Sequence, residues 1–196
     1  MKKFKLNSAC LLGSLKEHQD IKDTLINKLQ KADCNYLEDK TDYVDNLIHK
    51  LDWANSQDEL RDWVKYIKPY LKKYFKDCAN SLGYHDVLIK NIWFQQYNKN
   101  GKHDWHVHGE NYTGVYYVKF FKNSAKTELI DPFSQDKKLS IDAKEGDIVL
   151  FPSYVIHRAS EQQDEFEKII ISFNLEFIDI KIDLIKKINV LKEEAI

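Results

Sequence analysis

Gly101-Lys102-His103-Asp104-Trp105-His106-Val107-His108-Gly109 places three of the chain's seven histidines within six residues. Turn-forming residues flank it on both sides, and β-branched and aromatic runs follow, so the stretch reads as part of a strand. In an extended strand, side chains two apart share a face, which aligns His106 with His108. Two imidazoles so placed can meet at one ion, and imidazole suits Zn, Cu, Fe and Ni. By the same alternation Asp104 shares that face and offers a carboxylate. His103 falls on the opposite face and reads as a solvated turn residue or a substrate contact. A third ligand must come from elsewhere. His157 is the candidate, 49 positions after His108 in Phe151-Pro152-Ser153-Tyr154-Val155-Ile156-His157. The plain alternative is a histidine-rich turn that only solvates a hairpin.

Outward from this stretch, the second half of the chain is a series of short strands, expected at 86–97, 104–108, 114–121, 127–131, 139–142, 147–151 and 167–178. Lys144-Glu145-Gly146-Asp147 is a turn before Ile148-Val149-Leu150-Phe151. Short strands at this spacing argue for a sandwich or barrel. The first half is helical by pattern. Ile21, Leu25, Leu29 and Ala32 form a stripe in a helix over 15–33. Val44, Leu47, Ile48 and Leu51 form another over 42–55, with Asp42 as a possible N-cap. Leu60, Val64, Ile67, Leu71, Phe75, Cys78 and Leu82 mark a third over 57–82, which Pro69 should kink and Gly83 should stop. The tail from about 181 ends as a short helix. Helices first and strands second make an α+β fold, with the helices on one face of a β-sandwich. The expected organisation is one domain over 1–196: a mainly helical part to 85, the β core over 86–178, and a tail over 179–196.

Composition narrows the partners. Of the 196 residues, 43% are apolar and 31% charged, and the net charge is −1. That is ordinary for a globular domain and supplies no basic field for nucleic acid. Cys10, Cys34 and Cys78 have no CxxC spacing, which fits a reduced, cytoplasmic protein. Met1 to Cys10 lacks the apolar run of a signal peptide, and Phe4 and Leu6, alternating with lysines, suit a short edge strand. No stretch is apolar enough to span a membrane.

The run Lys168-Ile169-Ile170-Ile171-Ser172-Phe173-Asn174-Leu175 adds a second signal. Period two puts Lys168, Ile170, Ser172 and Asn174 on one face and the other apolar residues opposite. A lysine and an asparagine aimed into a sandwich core need a polar or charged partner, and a bound carboxylate is one.

Taken in order, Asn91-Ile92-Trp93, Tyr97 with Gly101, His106-Val107-His108, Thr113 to Val118, Gly146-Asp147, Phe151-Pro152-Ser153, His157, Lys168 and Ser172-Phe173-Asn174 resemble the 2-oxoglutarate/Fe(II)-dependent oxygenase superfamily. They are most similar to a branch common in marine bacteria and their phages, with the pattern HxH…SGVYY…FPSxxxH. The resemblance covers about 91–176. It implies a double-stranded β-helix, or jelly-roll, that binds Fe(II) and uses 2-oxoglutarate as co-substrate to hydroxylate a small molecule or a protein side chain. His106 resembles the first metal ligand and His157 the distal one. Lys168 resembles the basic residue, more often arginine, that pairs with the far carboxylate of 2-oxoglutarate. Tyr117 and Tyr97 resemble co-substrate tyrosines, and Asn174, which shares the face of Lys168, is a further co-substrate-binding candidate. The usual motif is HxD or HxE, so the second ligand is open between His108, which stands at the acid's position, and Asp104. Two other classes remain: a cupin-like three-histidine metalloenzyme that does not use 2-oxoglutarate, and a non-enzymatic jelly-roll module. Oligomeric state leaves no mark in the sequence.

Overall fold

The run Lys168–Ile180 is extended, and its alternate residues enter two different cores. Ile169, Ile171, Phe173 and Leu175 join one, and Ile170 joins the other. That is the face assignment expected from period two. The structure is a computed structural model that describes residues 8–41 and 44–184. Its elements are β1 (Leu11–Ser14), α1 (His18–Gln30), β2 (Asn35–Thr41), β3 (Val44–Leu51), a 3-10 turn (Trp53–Asn55), α2 (Asp62–Ser81), β4 (Tyr84–Tyr97), β5 (His103–His106), β6 (Tyr112–Lys119), β7 (Thr127–Ile130), β8 (Lys138–Ser140), β9 (Asp147–Pro152), β10 (His157–Ala159) and β11 (Lys168–Ile180).

The strands form two sheets. One has seven strands in the order β1-β9-β6-β11-β4-β3-β2, and the other has four in the order β5-β10-β7-β8. Strands β9-β6-β11-β4 face the four-stranded sheet and make a jelly-roll core. The helices pack on the outer face of the larger sheet, giving the α+β architecture expected. Trp63, Val64, Ile67, Leu71 and Phe75 of α2 are fully buried there, against Phe94, Ile171 and Phe173 among others. Burying each such side chain contributes about 1.5–3 kcal/mol. Pro69 lies inside α2 without ending it, and the helix stops at Leu82 before Gly83, whose φ of +87° favours glycine.

The helix expected over 42–55 is instead β3 followed by the 3-10 turn. The physical cause is a bulge. Asn35 pairs with Leu51 and Leu37 with Ile48, so β3 advances three residues while β2 advances two. An extra residue of this kind turns two side chains three apart onto one face. Ile48 and Leu51 both enter the core between the sheets, and their spacing imitates a helical stripe. Strand β10, only three residues long, was not expected. The edge strand expected at Phe4 and Leu6 and most of the tail helix fall outside the described residues. No described helix is long and apolar enough to cross a membrane.

Candidate metal and co-substrate site

The sheets bring His106 and His157 together directly. His157 in β10 is the antiparallel partner of His106 in β5. His108 follows two residues later, anchored by its backbone N–H, which donates to Ser153 O at 3.0 Å. One nitrogen of each of the three rings lies within 4.8 Å of the others. Ring centroids are 4.2 Å apart for His106 and His157, 5.0 Å for His106 and His108, and 5.1 Å for His108 and His157.

Hydrogen bonds orient two of the rings. Nδ1 of His106 is 2.6 Å from Asp104 O, and Nδ1 of His157 is 2.9 Å from Val155 O. A carbonyl only accepts, so each Nδ1 carries the proton and each Nε2 keeps a lone pair. Burial and the neighbouring imidazoles push His157 down to about 3 and His108 down to about 4, and burial lowers His106 as well. All three rings are therefore neutral at pH 7, the state a metal requires. The Asp104 carboxylate accepts from Trp105 N at 2.7 Å and is not part of this group.

Deeper between the sheets, Lys168 is 1% exposed. Its Nζ donates to Ala125 O at 2.8 Å and sits 4.6 Å from the centre of the Tyr97 ring. Among the described residues no carboxylate pairs with it, and burial alone pushes it down to about 7. The Tyr97 hydroxyl is buried and has no hydrogen-bond partner among the described residues. Tyr117 OH donates to Thr127 Oγ1 at 2.7 Å. Asn174 is bonded instead to Asn91 and Thr113 and does not line the cavity.

His103 corrects the reading from alternation. It does not face away from His106: the two rings stack at 4.0 Å and 22°, and both line the cavity. Ala159 pairs with His103 while His157 pairs with His106, so β5 advances three residues where β10 advances two. The bulge carries His103 to the inner face. A period-two rule has no signal for this. Trp53 projects from the 3-10 turn. It is 45% exposed and meets Trp93 edge-on at 4.6 Å, while Trp93 lies 5.8 Å from His108. Arg158 lies over Trp105 at 4.5 Å, with Nε donating to Glu128 at 2.7 Å. The polar stretch 122–139 is partly ordered sheet, since β7 falls inside it.

The sequence matches no protein-family model and no curated protein. Solved structures do match. A 2OG-Fe(II) oxygenase-family oxidoreductase from Burkholderia pseudomallei superposes with a TM-score of 0.65 at 7% identity, covering 87% of this chain and 86% of that one. The viral collagen prolyl hydroxylase of Paramecium Bursaria Chlorella virus-1, solved with 2-oxoglutarate, gives 0.62 at 13% identity over 86% and 96%. A Pseudomonas putida prolyl-4-hydroxylase gives 0.60 at 11% identity over 87% and 94%. The fold is that of the 2-oxoglutarate/Fe(II) oxygenases. At these identities the likeness is one of fold.

Proposed function

We propose that the protein is an Fe(II)- and 2-oxoglutarate-dependent oxygenase, acting as a hydroxylase on a small molecule or a protein side chain. The observation that carries this reading is a pairing between the sheets: a cavity lined by three neutral imidazoles with converging nitrogens and, behind its Tyr97 wall, a buried lysine with no counter-ion among the described residues. The donor set fits a divalent first-row metal, since three neutral nitrogens on one side leave positions for other ligands. The unpaired Nζ of Lys168 and the orphaned Tyr97 hydroxyl fit a carboxylate. The cavity measures about 20 Å³ as the side chains stand, so an ion enters directly and a five-carbon dicarboxylate needs lining side chains to turn aside.

In this reading His106, His108 and His157 hold the iron. Bound there, Fe(II) with 2-oxoglutarate and dioxygen would supply oxidative decarboxylation of the co-substrate to succinate and carbon dioxide, one oxygen atom going to succinate and the other into a substrate C–H bond. The chain's own residues orient and exclude. Asp104 O and Val155 O fix two ligand rings through their Nδ1–H groups. Lys168 offers its charge to the far carboxylate, with Tyr97 OH as a second donor and Tyr117 held beside Thr127. Phe151, edge-on to His157 at 4.7 Å, and Trp93 keep water from the metal end. A three-histidine enzyme that works without 2-oxoglutarate leaves Lys168 and the Tyr97 hydroxyl without an occupant.

The test is succinate formation from 2-oxoglutarate by iron-loaded protein. It should require iron and vanish in His106→Ala. Lys168→Ala should abolish 2-oxoglutarate turnover while metal still binds. If wild-type protein neither binds nor consumes 2-oxoglutarate, the reading fails.

A further inference from the structure

The histidines of the site divide by tautomer. Ser172 Oγ donates to Gln95 Oε1 at 3.1 Å, and Gln95 Nε2 lies 3.3 Å from Nδ1 of His103. With its oxygen engaged by the serine, Gln95 presents its amide hydrogens, so Nδ1 of His103 accepts. A neutral imidazole that accepts at Nδ1 carries its proton on Nε2. His106 and His157 are the reverse, protonated at Nδ1 with free lone pairs at Nε2. One cavity thus holds lone pairs suited to a metal and, beside them, an N–H suited to an oxygen.

Register places His103, whose ring lines the cavity. His106, His157 and Leu129 form one layer of the four-stranded sheet, and His103, Ala159 and Thr127 form the next. Across the cavity Gln95, Ile170 and Tyr117 are in register with one another, followed by Tyr97 with Lys168. The hydrogen bonds Gln95–His103 and Tyr117–Thr127 join the two sheets at that second layer. His103 therefore stands between the histidine end and the lysine end while stacking on His106. A 2-oxo acid that chelates a metal through its oxo group and one carboxylate oxygen leaves the other carboxylate oxygen without a partner. In a buried site that oxygen needs a donor.

We propose that His103 donates its Nε2–H to the metal-side carboxylate of the 2-oxo acid co-substrate, making it a binding residue for that acid rather than a fourth metal ligand. This rests on the function proposed above. The experiment uses Zn(II), so that the readout is binding and not turnover. Zn(II)-loaded wild type, His103→Phe and His103→Gln are titrated with 2-oxoglutarate by calorimetry, and Zn(II) affinity is measured by chelator competition. Phenylalanine keeps a ring to stack on His106 and removes the N–H. Its Zn(II) affinity should stay within about threefold of wild type, while its 2-oxoglutarate affinity falls at least about tenfold. Glutamine restores an N–H and should recover part of that loss. Should His103→Phe bind 2-oxoglutarate as well as wild type, the inference is overturned and the function stands. Parallel loss of Zn(II) affinity in that variant would also overturn it, because His103 would then act by positioning His106. Failure of the wild type to bind 2-oxoglutarate overturns both. If His103→Phe does not fold, nitrogen-15 NMR of wild-type histidines decides: His103 must be protonated at Nε2, and an Nδ1–H tautomer would refute the proposal.

Discussion

Replacing Lys168 with methionine should make the empty protein more stable and the co-substrate unable to bind. The side chain is buried, and among the described residues its only hydrogen bond is to Ala125 O and no acid pairs with it. Burial pushes it from 10.5 down to about 7. Each unit of pKa is about 1.36 kcal/mol, so holding this lysine costs the native state about 5 kcal/mol at pH 7 and below. The sign follows from proton counts. Between about 7 and 10.5 the unfolded chain holds a proton that the folded one has lost, so stability rises with pH across that window, and above it the cost is gone. Methionine matches the lysine stem in length and volume. The change forfeits one hydrogen bond and leaves Ala125 O unpaired, a loss of about 1–3 kcal/mol. The net expectation is a gain of about 2 kcal/mol or more at pH 7, shrinking and then reversing by pH 10.5. Urea unfolding followed by tryptophan fluorescence at both pH values measures it. In parallel, millimolar 2-oxoglutarate should raise the melting temperature of metal-loaded wild type and not of the variant. A variant less stable than wild type at pH 7, or a difference that does not change with pH, would show that the lysine is not an unpaired buried cation.

Two other perturbations address different parts of the molecule. His108→Asp adds a negative charge at the second ligand position. At an effective dielectric constant of about 20, a unit charge about 4 Å from another is worth about 4 kcal/mol, so Zn(II) affinity should rise by at least about tenfold and 2-oxoglutarate affinity should fall; unchanged Zn(II) affinity would mean that position 108 does not face the metal. Asp52 is fully buried and accepts from Arg61, from Trp63 Nε1 at 3.0 Å and from Phe94 N at 2.8 Å, while Arg61 also donates to Ile92 O at 2.6 Å. Asp52→Asn leaves Arg61 without its counter-charge at a cost of about 3 kcal/mol, which should lower the melting temperature by about 10 °C; a shift under about 3 °C would show that the pair adds little.

The helix-covered β-sandwich was legible because its longest strands obey simple alternation, while its jelly-roll form was an expectation from the resemblance alone. Lys168 to Leu175 send residues to two cores in strict turn, and α2 carries its apolar stripe over five turns. His157 was legible only as a residue waiting for a partner, because the three-residue strand that holds it lies below what local pattern can mark. Two of the misreadings share one cause. In β3 and β5 a bulge places residues three apart on the same face, and both alternation and helical periodicity then mislead. In β3 the result looked like a helix. In β5 it hid His103 from the cavity it lines. A bulge is fixed by the register of the partner strand, which no local window contains.

The same bulge gives the site its chemistry. Without the extra residue, His106 and Asp104 would share the inner face, and the metal would lie next to an acid. With it, the inner face of β5 carries two stacked imidazoles of opposite tautomer, and the Asp104 carboxylate turns to Trp105 N while its carbonyl fixes His106. The proposed ligand set that results is neutral. A dianionic co-substrate would meet a divalent metal at one end and Lys168 at the other, with no acid among the described residues that line the cavity to repel it. A neutral triad holds its metal less tightly than one with a carboxylate, and it attracts an anionic partner more strongly for the same reason. On this argument the bulge, the three histidines and the buried lysine form one electrostatic arrangement, in which tight metal binding is exchanged for attraction of a dicarboxylate.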